Sequence, residues 1–126
     1  MEFVGICLVT KNVPALAKFY TEVLGIDAEG DDVHVELNTE GASITIFSAE
    51  GMEKMAPRSM QGAGYGSFTI GFRVTDVDAE YERLKTLGIE FVKLPATHPW
   101  GSRSVWFRDP DGNVVNFFAE LKPSRR

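Results

Sequence analysis

Apolar residues recur at a helical spacing in two places, one in each half of the chain. In the first half, the residues at the i, i+3, i+4, i+7 and i+8 positions of an amphipathic helix are Leu16, Phe19, Tyr20, Val23 and Leu24. Pro14 suits the first turn of this helix, because a proline there loses no hydrogen bond. The second predicted helix bears Val77, Tyr81, Leu84 and Leu87, with Asp76 or its neighbour as the N-cap.

Alternating apolar and polar residues predict strands around these helices. In the first half the apolar members are Val33, Val35, Leu37, Ile44 and Ile46, with a turn at 38–41 between the two runs. In the second half we predict strands over 89–94, 102–108 and 113–119. The last two are joined by Asp109-Pro110-Asp111-Gly112, in which Pro suits the second turn position and Gly supplies a positive φ. A further strand precedes each helix, so the predicted order in each half is one strand, one helix and then three strands.

The two halves are related copies. When the chain is slid along itself by 64 residues, 6–13 falls on 70–77, so strand lies over strand and helix start over helix start. After a one-residue slip, Leu24-Gly25-Ile26 falls on Leu87-Gly88-Ile89, and each Gly stands where a helix end favours a left-handed residue. A long period that occurs twice indicates a duplicated module rather than a solenoid.

This organisation predicts an α+β fold of two βαβββ modules in a single domain, 1–126. Module one spans 3–48, a linker spans 49–66, module two spans 67–120 and a tail spans 121–126. The linker contains several Met and Gly residues and shows no sustained period. Its glycine-rich end precedes a strand rather than opening a helix, which argues against a phosphate-binding loop.

Composition and charge narrow the classes of function. Of the 126 residues, 44% are hydrophobic and 25% charged, which is ordinary for a globular protein. The net charge of -5 argues against nucleic acid or an anionic membrane surface as a partner, and no apolar run approaches the ~20 residues of a membrane helix. The single cysteine, Cys7, cannot form an intrachain disulfide. The start of the chain does not read as a secretory leader, and we expect a cytoplasmic protein.

Three motifs carry a resemblance to a known family. They are the helix start Asn12-Val13-Pro14-Ala15-Leu16-Ala17-Lys18-Phe19-Tyr20, the helix end Val23-Leu24-Gly25 and the hairpin Asp109-Pro110-Asp111-Gly112-Asn113. With the two βαβββ modules, they resemble the vicinal oxygen chelate superfamily of glyoxalases, ring-cleaving dioxygenases and bleomycin-resistance proteins, over residues 3–120. The resemblance implies curved mixed sheets around a concave cleft, helices on the convex side, and a homodimer.

The resemblance also indicates where a metal would be bound. The family's chelating enzymes place ligands, mostly His and Glu, at fixed points on the first and last strands of each module. The matching positions here are Gly5, Thr45, Thr69 and Asn116. A divalent metal that polarises a substrate oxygen needs about three good protein ligands, which this set does not supply. We therefore expect no metal and no other cofactor.

Side chains alternate along a strand, so the residues that share a face with these positions line the implied cleft. The predicted ligand-binding residues are His34, Glu36, Thr45, Phe47, Thr69, Arg73, Trp106, Asn116 and Phe118. Ser104 faces the same way. Flat apolar rings beside a few fixed polar groups are typical of sites for small organic molecules.

Each of these residues also has a structural interpretation. The aromatic rings can fill a core or a dimer seam, and Arg73 can pair with Glu36. His34 and Glu36 are either an acid–base pair or an ordinary pair on a surface strand. His98 is interpreted as a loop residue able to cover a pocket, and Cys7 as an inert packed thiol.

These observations favour a metal-free protein that binds a small aromatic or amphiphilic molecule in its cleft and sequesters it, resembling the bleomycin-resistance branch. Two alternatives stay open. One is a glyoxalase-like lyase or isomerase, or a dioxygenase-type enzyme. The other is a scaffolding module whose aromatic residues form an interface.

Overall fold

The computed structural model describes residues 1–64 and 67–121, and the chain divides into two compact units, Met1–Gly64 and Tyr65–Arg126. The elements of the first unit are β1 (Gly5–Thr10), α1 (Val13–Leu24), β2 (Ala28–Gly30), β3 (His34–Leu37), β4 (Ser43–Ser48) and α2 (Ala49–Met55). Those of the second unit are β5 (Thr69–Arg73), α3 (Val77–Leu84) with a 3₁₀ turn (Lys85–Leu87), β6 (Phe91–Thr97), β7 (Ser102–Arg108) and β8 (Val114–Glu120). The end of the predicted linker and most of the predicted tail lie outside the described residues.

Each unit contains one four-stranded mixed sheet. The strand orders are β1-β4-β3-β2 and β5-β8-β7-β6. In each sheet the first strand pairs in parallel with the last one, and the other neighbours are antiparallel. The predicted α+β fold of two βαβββ modules is therefore confirmed.

Equivalent residues lie at the start and the end of the main helical segment in each unit. Asn12 and Asp76 are the N-caps, and their side chains accept hydrogen bonds from the backbone N–H three residues on. Gly25 and Gly88 follow the helical segments with φ of 66° and 70°, a left-handed conformation that glycine adopts without strain. These matched ends explain why the two halves of the sequence superpose.

One face of each sheet packs against its helix. In the first unit the residues of this buried layer are Leu16, Tyr20, Val23, Val35, Leu37, Ile44 and Ile46. In the second unit they are Val77, Leu84, Val105, Phe107, Val115 and Phe117. We call this side of a sheet its helix face and the opposite side its far face. Because strand side chains alternate, burial of the first set directs the intervening residues to the far face.

The segment predicted to be an irregular linker contains a helix, α2. Ser48 accepts a hydrogen bond from the N–H of Gly51 and caps it, with Glu50 in its first turn and Lys54 in its last. None of its residues is buried. A helix that buries no apolar stripe leaves no periodic pattern in the sequence.

Strand β6 begins and ends later than the predicted strand at 89–94. It contains Pro95, which usually ends a strand because it lacks an N–H. Here Pro95 lies between Lys93 and Ala96, where the pairing with β7 shifts register. A β-bulge leaves a residue out of the hydrogen-bonding ladder and so accommodates a proline.

Among the residues described, no helix is long and apolar enough to cross a bilayer.

The hairpin between β7 and β8 depends on one buried carboxylate. Asp109, 4% exposed, accepts hydrogen bonds at Oδ1 from the N–H groups of Asp111 and Asn113, and at Oδ2 from Asn113 Nδ2. We predict that Asp109→Ala lowers the free energy of unfolding by about 2 kcal/mol or more, because buried donors lose a charged acceptor. The matched change Asp111→Ala, on the same turn, should cost no more than about 0.5 kcal/mol. Urea denaturation of both variants measures the difference, and equal stabilities would contradict the assignment.

Gly5 lies at the start of β1 and cannot carry a side chain. Its φ is +154°, and a Cβ would overlap the carbonyl oxygen of Ser43 on the paired strand. We predict that Gly5→Ala costs about 2 kcal/mol or more. In Gly71→Ala the new Cβ meets only Phe118 Cε1 at 3.6 Å, so stability should change by less than about 1 kcal/mol. Thermal unfolding compares the two, and a well-tolerated Gly5→Ala would refute the overlap.

Candidate functional site

Four of the predicted site residues lie together on the far face of the first sheet. His34 is opposite Phe47 and Glu36 is opposite Thr45 in the pairing of β3 with β4. His34 and Glu36 are exposed, whereas Thr45 and Phe47 are half-buried. The register of β3 with β4 therefore places all four residues on one face, as the alternation along the strands predicts.

Contacts within this unit account for the position of the Phe47 ring. A Cβ added at Gly51 of α2 would lie 2.9 Å from Phe47 Cζ, so the ring packs directly on that helix. The His34 ring meets Phe47 edge to face, with centroids 6.0 Å apart. In the described part of the chain, no hydrogen bond joins the His34 ring to the Glu36 carboxylate. These contacts are structural in character and do not assemble an acid–base pair.

Cys7 shares this far face, since it is opposite Thr45 in the pairing of β1 with β4. The thiol is free and the residue is exposed. The interpretation of Cys7 as a packed thiol is therefore wrong. The alternation predicted its face correctly, but nothing in the first unit covers that position well enough to bury it.

The other five predicted residues lie on the far face of the second sheet, in rows that run across the strands. One row consists of Gly71, Asn116, Trp106 and Lys93. The next row on one side consists of Arg73, Phe118 and Ser104, and the next on the other side of Thr69, Val114 and Arg108. Trp106, Asn116 and Phe118 are half-buried, and Thr69 and Arg73 are exposed. The nine residues predicted to line one cleft thus form two groups, one on the far face of each unit's sheet.

Arg73 pairs within its own unit. Its guanidinium lies over the Phe118 ring, 5.5 Å from the centroid, a distance at which cation–π attraction is significant. Arg73 Nε is 3.8 Å from Glu120 Oε1, a loose and largely exposed ion pair. The partner at this distance is thus Glu120 rather than the Glu36 considered from sequence.

Lys93 is a site residue that the sequence analysis missed. Its ammonium donates hydrogen bonds to the backbone oxygen and to Oγ of Ser104, at 3.0 and 2.9 Å, and lies 5.6 Å from the Trp106 ring centroid. Burial lowers the pKa of Lys93, and the positive charge of Arg103 lowers it further. A signal that could have found it is that Lys93 shares the parity of the apolar Ile89 and Phe91 in the predicted strand, where a charged residue is unexpected.

His98 extends this hydrogen-bonded chain. Its Nε2 is 2.9 Å from Ser104 Oγ, and its ring stacks on Trp100 with centroids 4.6 Å apart. Ser104 Oγ accepts a hydrogen bond from Lys93 and forms a second one with His98 Nε2, whose direction is set by the imidazole tautomer. Lys93, Ser104 and His98 therefore form a continuous polar chain, and His98 is more firmly held than a free loop residue.

The amide of Asn116 has an unsatisfied acceptor. Its Oδ1 is buried and has no hydrogen-bond partner among the described residues. Nearly all buried polar atoms in folded proteins are paired, so each exception requires an explanation. Asn116 lies between Gly71, which has no side chain, and Trp106. A ligand that carries a hydrogen-bond donor would satisfy this oxygen.

The positions that chelate metal in the resembled family do not suit a metal here. Gly5 has no side chain and has no space for one. Thr45, Thr69 and Asn116 offer neutral oxygens, which are poor substitutes for imidazole and carboxylate. Within residues 1–64 and 67–121, no group of three or more His, Cys, Asp or Glu is arranged to hold an ion. The donor set at these positions therefore does not fit the metal that the fold family uses.

Comparison with known proteins supports the fold and the family. The model of the Glyoxalase/Bleomycin resistance protein/Dioxygenase superfamily matches residues 3–117. The uncharacterized protein YetH of Bacillus subtilis (strain 168) is 32% identical over 100 residues, which cover 77% of this chain and 80% of that protein. The crystal structure of a glyoxalase/bleomycin resistance protein/dioxygenase from Nocardioides is 26% identical with a TM-score of 0.79, over 100% of this chain and 89% of that one.

A glyoxalase/bleomycin resistance protein/dioxygenase family enzyme from Burkholderia phytofirmans PsJN has a TM-score of 0.85 at 20% identity, over 96% of this chain and 100% of that one. At this identity the likeness shows the fold alone. The two βαβββ modules, their capping residues and the family match over residues 3–117 together lead to one conclusion. The chain belongs to the Glyoxalase/Bleomycin resistance protein/Dioxygenase superfamily.

Proposed function

We propose that this protein binds a small aromatic molecule on the far face of its second sheet, without a metal ion, and sequesters it. The observation that carries the proposal is the buried, unpartnered Oδ1 of Asn116 beside the half-buried Trp106. An unpaired buried acceptor costs about 1–3 kcal/mol, which a ligand donor recovers on binding. The neighbouring rings offer a flat apolar surface for the body of such a ligand.

This face carries two aromatic rings, each with a cationic side chain over it. Trp106 on β7 and Phe118 on β8 are half-buried, whereas Phe107 and Phe117, one residue before or after on the same strands, are fully enclosed on the helix face. The two rings stand in adjacent rows, since Trp106 is opposite Asn116 and Phe118 is opposite Ser104. Diagonal neighbours at this offset are close enough for large side chains to share one ligand.

One observation favours an enzyme as the second candidate. The chain from Lys93 through Ser104 to His98 links an ammonium, a hydroxyl and an imidazole by hydrogen bonds of 2.9 Å. Such a chain can carry a proton to or from a bound molecule, as a lyase or isomerase requires. Turnover of a bound carbonyl compound, lost in His98→Gln while binding persists, would favour this candidate over sequestration.

One experiment tests the homodimer that the resemblance implies and also distinguishes ligand binding from the scaffolding alternative. Sedimentation equilibrium measures the mass of the assembly with and without a bound aromatic compound. A dimer that binds such a compound agrees with the proposed function. An assembly that binds none, and that dissociates in Trp106→Ala, would indicate that these rings form an interface instead.

We predict that Trp106→Ala weakens the binding of aromatic compounds by about tenfold or more, because stacking and buried apolar area are lost together. Compounds are first selected by thermal shift from a panel of neutral, anionic and cationic aromatic fragments, and isothermal titration calorimetry then measures their affinity.

The matched control is Phe3→Ala, which removes an aromatic ring that is 73% exposed and lies outside both sheets. It should leave affinity unchanged. Equal affinities of wild type and Trp106→Ala for every compound that binds would refute the assigned site.

A further inference from the structure

The row that contains Trp106 has a cation on one side of the ring and an unpaired acceptor on the other. Lys93 is opposite Trp106 on β6, and Asn116 is opposite Trp106 on β8. Neighbouring strands are about 4.8 Å apart, so the backbones of Lys93 and Asn116 are separated by roughly 10 Å with the indole between them. A single six-membered ring with substituents at opposite ends fits this spacing.

The charge of Lys93 lacks a counterion. Its side chain is half-buried, and no carboxylate lies within ion-pair distance of its Nζ in the described residues. The charged neighbour that affects it is Arg103, which is also positive and is held by both carboxylate oxygens of Asp78 at 2.8 and 2.9 Å. Charged groups removed from water are normally paired with an opposite charge. The site therefore favours an anion at Lys93.

The ammonium also retains hydrogen-bonding capacity. It has three N–H donors, of which two are directed to Ser104. The third is left for a ligand acceptor. A carboxylate oxygen at this point would form a charge-assisted hydrogen bond, which is about twice as strong as a neutral one.

Asn116 requires the opposite chemistry from its end of the ligand. Its unpaired group is an oxygen, which accepts but does not donate. The half-buried Trp106 is opposite Asn116 on β7. On β5, Gly71 contributes no side chain of its own, and the nearest side-chain atom to a Cβ built there is Phe118 Cε1 at 3.6 Å. A hydroxyl or N–H on the ligand satisfies this acceptor, whereas an ether or a bare ring edge does not.

We propose that the far face of the second sheet recognises a planar aromatic acid with a hydrogen-bond donor opposite the acid group. The carboxylate is bound by Lys93, the ring lies against Trp106, and the donor is bound by Asn116 Oδ1. This inference rests on the proposed function and specifies its ligand class. It also separates such acids from cationic aromatic compounds, which would meet like charges at Lys93 and Arg73.

Calorimetry with four probes tests both ends of the ligand. 4-Hydroxybenzoate carries the acid and the donor, 4-methoxybenzoate lacks the donor, benzoate lacks the whole substituent, and 4-hydroxybenzamide lacks the charge. We expect 4-hydroxybenzoate to bind at least about tenfold more tightly than each of the other three, because each lacks one hydrogen bond or the charge that strengthens it.

Variants assign each preference to its residue. Lys93→Met should abolish the preference for the acid over the amide, and Lys93→Arg should restore most of it. Asn116→Leu should abolish the preference for hydroxy over methoxy and keep the preference for the acid. The matched control is Lys85→Met, since Lys85 also lies over a ring, that of Tyr81 at 5.0 Å, but next to α3. It should keep both preferences, and circular dichroism with urea denaturation confirms that each variant is folded.

The outcomes distinguish this inference from the proposed function. If neutral aromatic compounds bind in a Trp106-dependent way and the wild type does not prefer the acid, the inference fails and the proposed function stands. If Lys93→Met retains the full acid preference, the inference also fails. If no aromatic compound binds in a Trp106-dependent way, both fail together.

Discussion

The packing of α3 against the apolar face of the second sheet is the constraint on which the candidate site depends. Leu84, Val105 and Phe107 are completely enclosed there, and Phe107 meets Phe117 edge to face with centroids 5.0 Å apart. Each such residue contributes about 1.5–3 kcal/mol by leaving water, so the register that buries them is strongly preferred. The same register places Trp106 and Phe118 on the opposite side.

A β-bulge then modifies the pattern at one edge of the sheet. Phe91 is opposite Phe107 on the helix face, and strict alternation would place Lys93 on that face as well. The register shift between Phe91 and Lys93 turns the lysine to the far face, opposite Trp106. Bulges commonly re-aim a side chain next to a functional site. Here the bulge keeps the charge of Lys93 from being buried under α3, and it places that charge in the same row as Trp106.

The duplicated modules have kept their helix faces and diverged on their far faces. On the first sheet, Glu29 and Glu36 are directly opposite each other across β2 and β3, an arrangement of like charges that costs stability unless solvent or a cation relieves it. On the second sheet, Lys93 and Arg73 flank two aromatic rings. The cores need only apolar residues of suitable size, so duplication leaves the far faces free to acquire opposite charge.

Membership of the superfamily establishes the fold and leaves the chemistry to individual side chains. At the chelating positions this chain has a glycine that a neighbouring carbonyl prevents from carrying a side chain, two threonines and an amide. Beside that amide it has a polar chain formed by Lys93, Ser104 and His98. At these positions the chain thus has hydrogen-bonding groups rather than the imidazole and carboxylate ligands of a metal site.

The sequence by itself determined the elements that depend on local signals and on periodicity. The N-cap at Asp76, the left-handed glycines Gly25 and Gly88, and the alternation in β4 and β8 all depend on residues close in sequence, and the structure confirms each of them. The repeat of these signals also predicted the duplicated fold.

Only the tertiary structure decided which side chains meet. The position of Lys93 depends on a bulge that forms between two strands, and the pairing of Arg73 with Glu120 depends on which strands are neighbours. The unsatisfied oxygen of Asn116 results from the packing around it. Helix α2 is capped by Ser48 but buries none of its residues, so the sequence shows no helical periodicity there. Contacts between residues distant in sequence are set by the free energy of the whole folded unit, and for that reason no local pattern encodes them.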